Sequence, residues 1–163
     1  MKTLLLLRHG KSSRKDTSTR DFDRPLSERG VSDSKLIGEF IRKKKLHPEL
    51  VISSPAERAR QTAELVLKAG LQLELRVDER VYEASARHLF EVISQIEDTA
   101  NTVLLVGHNP GFEELLQNLS GEERELSTAT LACIELSVEK WSRVQASVGN
   151  LKWLVAPREL RRD

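Results

Sequence analysis

Cysteine is almost absent from this chain of 163 residues: Cys133 stands alone, so no disulfide can form within it. That fits a reducing compartment. Cys133 lies in the apolar run Leu131–Leu136, without the neighbouring cations that activate a thiol, and reads as an inert core residue. Long apolar runs are absent too. None approaches the ~20 residues that span a bilayer. Met1–Leu7 is too short for a signal-peptide core and is ended by Arg8, so a cytoplasmic protein is expected. Neither sign of charge prevails: 26 Lys and Arg against 25 Asp and Glu leave a formal net charge of +1. Bulk attraction to nucleic acid or acidic membranes is thereby excluded. The one basic cluster, Arg42-Lys43-Lys44-Lys45, ends an expected helix, where cations complement the helix dipole.

What is present is an ordinary globular composition, 39% apolar and 31% charged, with no internal repeat and no low-complexity linker. The length suggests one domain over residues 1–163, with a core to about residue 157 and a charged, fraying tail from Arg158 to Asp163. Strand and helix signals alternate, which implies an α/β layered fold around a largely parallel sheet. Thr3–Leu7 is continuously apolar and reads as a buried central strand. Lys11–Pro25 is polar and without period, a loop long enough to be functional or mobile. Ser27–Lys45 carries Leu36, Ile37, Phe40 and Ile41 at helical spacing. Further strands are expected at Leu50–Ile52, Leu73–Val77, Thr102–Val106, Thr128–Leu136 and Leu151–Val155. Ser54-Pro55-Ala56-Glu57 reads as a helix start, with Ser54 as cap, Pro55 at the first helical position and Glu57 closing a capping box. Ser85 is expected to cap a helix with the stripe Leu89, Val92, Ile93 and Ile96, and Asn109-Pro110 to start another.

Three polar clusters follow three of these strands. Arg8-His9-Gly10 follows the first, Ser53-Ser54 and the helix bearing Arg58 follow the second, and Gly107-His108-Asn109 follows the fourth. Ligands of open parallel sheets bind beyond the carboxyl ends of the strands. If these strands are neighbours, two arginines and two histidines converge there. Arginine offers a planar fork of donors that matches phosphate oxygens. Two helix N-termini would add backbone N–H groups. The strand ends carry no carboxylates, so the constellation suits a phosphoryl dianion without a metal. A neutral imidazole can itself attack phosphorus, and the surrounding cations favour a neutral His9.

These residues resemble the histidine phosphatase superfamily, with its phosphoglycerate-mutase-like fold. Leu7-Arg8-His9-Gly10 looks like its signature. Leu26-Ser27-Glu28-Arg29-Gly30, the stretch from Ser53 to Ala63, and Val106-Gly107-His108-Asn109 follow in the expected order. Asp21-Phe22-Asp23-Arg24-Pro25-Leu26, Tyr82-Glu83-Ala84-Ser85 and Gly107-His108-Asn109-Pro110-Gly111 look like the short SixA-type phosphohistidine phosphatases. The resemblance runs from Leu4 to about Pro157. It implies a three-layer sandwich with a central, mostly parallel sheet flanked by helices. It also implies His9 as the phospho-accepting nucleophile, with Arg8, Arg58 and His108 as the phosphate pocket. Glu83 stands where many members keep a general acid. Lys11 and Ser12, just after the signature, and Asn109, within the last motif, are expected to line the pocket. No cofactor and no metal is implied.

The expected activity is metal-independent hydrolysis through a phosphohistidine intermediate, acting on histidine-phosphorylated protein. Glu83 keeps small phosphate esters open as an alternative. A module that binds a phosphorylated partner without turnover is a third reading, which the full set of His9, His108, Arg8 and Arg58 disfavours. His47, His88, Trp141 and Trp153 are read as surface or packing residues, and Thr62 as a buttress one turn beyond Arg58.

Overall fold

The structure, a computed structural model, describes residues 1–161. In chain order the elements are β1 (Lys2–Arg8), α1 (Glu28–Lys43), β2 (Leu50–Ser53), α2 (Glu57–Lys68), β3 (Leu75–Val77), α3 (Ala86–Ser94), β4 (Thr102–Gly107), α4 (Gly111–Ser120), β5 (Leu131–Leu136), β6 (Gly149–Val155) and α5 (Pro157–Leu160). The six strands form one sheet in the order β3-β2-β4-β1-β5-β6. β3, β2, β4 and β1 are parallel, β5 pairs antiparallel with β1, and β6 pairs antiparallel with β5, so β5 alone runs against the others.

The apolar run of β1 is explained by helices on both faces of the sheet. Leu4 and Leu6 pack into a core with Leu89, Val92 and Ile93 of α3 and Phe112, Leu115 and Leu116 of α4. Leu5 and Leu7 pack on the other side with Ile37 and Ile41 of α1 and Ala59, Ala63 and Val66 of α2. The result is the expected three-layer α/β sandwich. Two helices start where a local cap predicts: Ser27 Oγ accepts from the N–H of Gly30, and Ser85 Oγ from that of His88.

Several boundaries differ from the sequence reading. β5 starts at Leu131, not Thr128, because Ala129 is left-handed (φ 58°) and its N–H bonds to the carbonyls of Arg8 and His9 at 3.0 and 2.9 Å. β3 is shorter than Leu73–Val77. The Lys11–Pro25 loop contains a single helical turn at Asp21–Asp23. Residues 158–161 of the charged tail do not fray. Pro157–Leu160 is helical, and Arg161 donates to Ser32 Oγ at 3.0 Å and pairs with the buried Asp33 of α1. The remainder of that tail, Arg162 and Asp163, lies outside the described residues. No helix among the described residues is long and apolar enough to cross a membrane.

Candidate active site

Because β2, β4 and β1 are adjacent and parallel, their carboxyl ends lie side by side, with Arg8 opposite Gly107 and Ser53 opposite Val106. This brings together His9 after β1, Arg58 in the first turn of α2, and His108 after β4. Thr62 ties two of these elements. It accepts from the Gly10 N–H at 3.0 Å and donates to the Arg58 carbonyl at 2.7 Å. The N-terminus of α1 packs tightly against the same segment. A Cβ at Gly30 would lie 2.2 Å from the Lys11 carbonyl oxygen, so only glycine allows this approach.

His9 is 7% exposed. Its Nδ1 lies 2.7 Å from the Gly10 carbonyl oxygen. A carbonyl can only accept, so Nδ1 carries the proton and Nε2 of the neutral ring carries the lone pair, which accepts only a long contact from Arg58 Nε at 3.4 Å. Burial, opposed by that Gly10 bond and reinforced by the charges of Arg58, Arg8 and Arg24, pushes the His9 pKa down to about 4.

The His108 ring stands 5.0 Å from that of His9, centroid to centroid. Its Nε2 lies 2.8 Å from Ser54 Oγ. Burial, then the neighbouring His9 and Arg58, push its pKa down to about 3. The Ser54 side chain is therefore not the helix cap that its sequence context suggests. α2 starts at Glu57 with Ala56 as its uncapped N-cap. Ser54 Oγ accepts from the Ala56 N–H at 3.2 Å, and His108 Nε2 is its acceptor. With the Ser54 hydroxyl as donor, the His108 proton sits on the other nitrogen, Nδ1, which is buried without a protein partner. α4 likewise starts later than expected, at Gly111.

Arg8 Nη1 and Asn109 Nδ2 both donate to the Leu126 carbonyl, at 2.9 and 2.8 Å. Arg8 Nε and Asn109 Oδ1 are buried without partners. Burial lowers the Arg8 pKa, against the opposing charge of Glu113.

Arg58 is 7% exposed and engages all three of its nitrogens. Nε lies 3.4 Å from His9 Nε2, Nη1 donates to the Asp21 carbonyl at 2.7 Å, and Nη2 reaches Asp21 Oδ2 at 3.2 Å. Asp21 also accepts from Tyr82 Oη at 2.7 Å and from Arg24 Nη2 at 2.9 Å. The Tyr82 bond, with Arg24 and Arg58, holds this carboxylate well below the usual range. Burial, with the neighbouring Asp21, pushes the Tyr82 hydroxyl up to about 12. The strand ends carry no carboxylate, but the loop after β1 supplies this one. The sequence reading singled out neither Asp21 nor Tyr82; the only signal was their place inside the family-like motifs.

A cleft of about 470 Å³ opens beside Arg58 and His108, lined also by Asp21, Tyr82, Glu83, Ser85, Asn109 and Glu114; the buried His9 and the half-buried Arg8 do not line it. Glu83 is exposed on its rim, in a left-handed conformation (φ 53°). Lys11 and Ser12, also expected in the pocket, do not line this cleft. Lys11 lines a separate cleft with Arg29, Asp33 and Arg158. Ser12 Oγ accepts from Arg24 Nη1 at 2.6 Å. His47 and His88 are exposed.

A family model described as the histidine phosphatase superfamily (branch 1) matches residues 4–89. An uncharacterised chloroplastic protein of Arabidopsis thaliana is 32% identical over 94% of this chain and 77% of its own length. A structure from Agrobacterium tumefaciens, provisionally assigned as the phosphohistidine phosphatase SixA, is 27% identical with a TM-score of 0.83, covering 96% of this chain and 98% of its own. A similarly assigned protein from Nakamurella multipartitia shares the fold at 24% identity and a TM-score of 0.86, covering 96% of each chain. The chain belongs to the histidine phosphatase superfamily, and it is a phosphatase.

Proposed function

We propose that this phosphatase works without a metal, through a phosphohistidine at Nε2 of His9, and that its substrate is histidine-phosphorylated protein. One observation carries the mechanism: the Nδ1–H of His9 is committed to the Gly10 carbonyl, which leaves Nε2 unprotonated beside Arg58. With a pKa near 4 the ring is neutral at physiological pH and needs no base to become a nucleophile.

In this reading Nε2 bonds to phosphorus as the bond to the leaving group breaks. Arg8, Arg58 and His108 surround the phosphoryl oxygens, where charge stabilisation is most of what phosphoryl transfer requires. Asn109 fixes the Leu126 carbonyl that holds Arg8. Water then displaces Nε2 and releases phosphate. Among the described residues no group of three or more His, Cys, Asp or Glu side chains is placed to hold a metal ion, and the donors present are those of an anion site.

The protein substrate is supported by the cleft rim. Glu83, Ser85, Pro110 and Glu114 are all exposed, so a protein surface can reach the pocket. The Agrobacterium relative's assignment points the same way. Glu83 on the rim favours a second reading, hydrolysis of small phosphate esters with Glu83 as general acid.

The test is to mix the enzyme with phosphoramidate, a phosphohistidine protein and p-nitrophenyl phosphate in turn, quench without acid, and map phosphate by mass spectrometry. Phosphate on His9, absent in His9→Ala, is the expected result, with fastest turnover on the phosphohistidine protein. No phosphoenzyme with any donor would overturn the mechanism, and fastest turnover of the ester would overturn the substrate.

A further inference from the structure

Resting on that reading of the pocket, we infer that Asp21 is a positioning residue for the reaction: it sets the plane of the Arg58 guanidinium and joins it to Tyr82, the aromatic wall of His108. A buried guanidinium needs acceptors for its N–H groups, and two of those of Arg58 are taken by one residue, through the Asp21 carbonyl (2.7 Å) and the Asp21 carboxylate (3.2 Å). Two contacts from one anchor stop the fork from turning about its own axis. Five donors less these two leave three N–H groups for a phosphoryl group, of which the Nε–H rests on His9 until phosphorus takes that lone pair.

The anchor is itself held. Oδ2 takes the Tyr82 hydroxyl at 2.7 Å, and Oδ1 takes Arg24, which reaches back to Ser12 Oγ at 2.6 Å. Tyr82 stands edge-on to His108, with ring centroids 5.6 Å apart, and also edge-on to Phe22 at 5.1 Å. Asp21 therefore couples the loop after β1, the first turn of α2 and the wall beside His108. The opposite role is conceivable on the same contacts: a carboxylate on Arg58 could be a surrogate anion that the substrate displaces. The two roles predict opposite signs. Asp21 favours the first because its main-chain carbonyl, which no substrate exchange need remove, makes the shorter of the two Arg58 contacts.

The experiment compares wild type, Asp21→Asn and Tyr82→Phe by calorimetric titration with orthovanadate and by kcat and KM on phosphoramidate, with thermal melts to confirm folding. Asp21→Asn keeps the size and the main-chain contact but replaces a saturated acceptor with an amide that cannot accept from all three donors. If Asp21 positions Arg58, vanadate binds more weakly and kcat falls by about 100-fold, the scale of a small misplacement of a catalytic group. KM changes far less, and Tyr82→Phe gives a smaller loss in the same direction. Tighter vanadate binding, or an unchanged or raised kcat/KM in a folded Asp21→Asn protein, overturns the inference. Vanadate affinity is read without turnover, so this result stands apart from whether His9 is phosphorylated.

Discussion

Arg58 Nε lies 3.4 Å from His9 Nε2, as donor to the lone pair of that ring. In the resting enzyme this is a long donor contact to a nucleophile. Once phosphorus occupies the lone pair, the same N–H faces a phosphoryl oxygen. The geometry needs a planar fork rather than a point charge. Arg58→Lys is therefore expected to lower kcat on phosphoramidate by about 10²–10³-fold, the cost of removing one transition-state donor. Steady-state rates check it, and an unchanged kcat would take Arg58 out of the transition state.

Ser54 sets the tautomer of His108. Its hydroxyl is fully buried, and His108 Nε2, 2.8 Å away, is the acceptor for its proton. In Ser54→Ala the Nε2 lone pair loses its donor, and the proton is free to move from Nδ1 to Nε2. The expected outcome is a folded protein destabilised by about 1–3 kcal/mol, with a lower kcat and a mixed His108 tautomer. Nitrogen-15 chemical shifts of the ring distinguish the two forms. A single Nδ1–H signal in the variant would contradict the assignment.

This Ser54 contact also shows where the sequence was legible and where it was not. Ser27 and Ser85 cap helices through bonds to residues three positions on, so their roles can be read in a short window. Ser54 has the same local context, but its side chain is taken by a histidine 54 residues away. Leu4 to Leu7 read as a central strand because alternate residues meet different helix layers. The direction of β5 left no such trace, since a strand buried on both faces looks the same in either orientation. His9, Arg58 and His108 could be placed together because each follows a strand of one parallel sheet. Asp21 could not, because a polar loop has no period to show that it returns to a residue 37 positions on. Lys11 is next to Gly10 in sequence, but that proximity does not place it in the pocket, because the chain turns it into another cleft.

Glu83 gives a way to separate ester from phosphoramidate chemistry. It sits exposed on the cleft rim, held in a left-handed backbone conformation that non-glycine residues seldom adopt. An alkoxide leaving group needs a proton, whereas an imidazole leaving from a ring already protonated does not. Glu83→Gln is expected to slow any hydrolysis of an alkyl phosphate by at least about 10²-fold, the lower range for general acid catalysis. Turnover of phosphohistidine protein should stay within a factor of about three. Parallel kcat/KM measurements on both substrates check it, and equal losses on the two would deny Glu83 an acid role.

The two histidines should also govern how the protein responds to acid. Each is buried in the neutral form, His9 with a pKa of about 4 and His108 of about 3, while an unfolded histidine titrates near 6.5. Below that value the unfolded chain takes up protons that the folded chain refuses, so the unfolded state gains and stability falls with falling pH. The contribution is fully present above about pH 6.5 and is lost progressively as the pH drops toward the folded values near 4 and 3. In that window each histidine adds a slope of about 1.4 kcal/mol per pH unit. Urea unfolding at pH 7, 6, 5 and 4.5 is expected to show the decline, and His108→Gln to remove one proton's worth of the slope. Asp21, whose pKa is depressed, adds to the decline only below about pH 4, where the unfolded carboxyl takes up a proton that the folded one still refuses. Ring proton shifts in the folded protein supply the direct check. If either histidine titrates near 6.5, its ring is open to protonation at neutral pH, and in the case of His9 the lone pair on Nε2 is no longer held free for phosphorus.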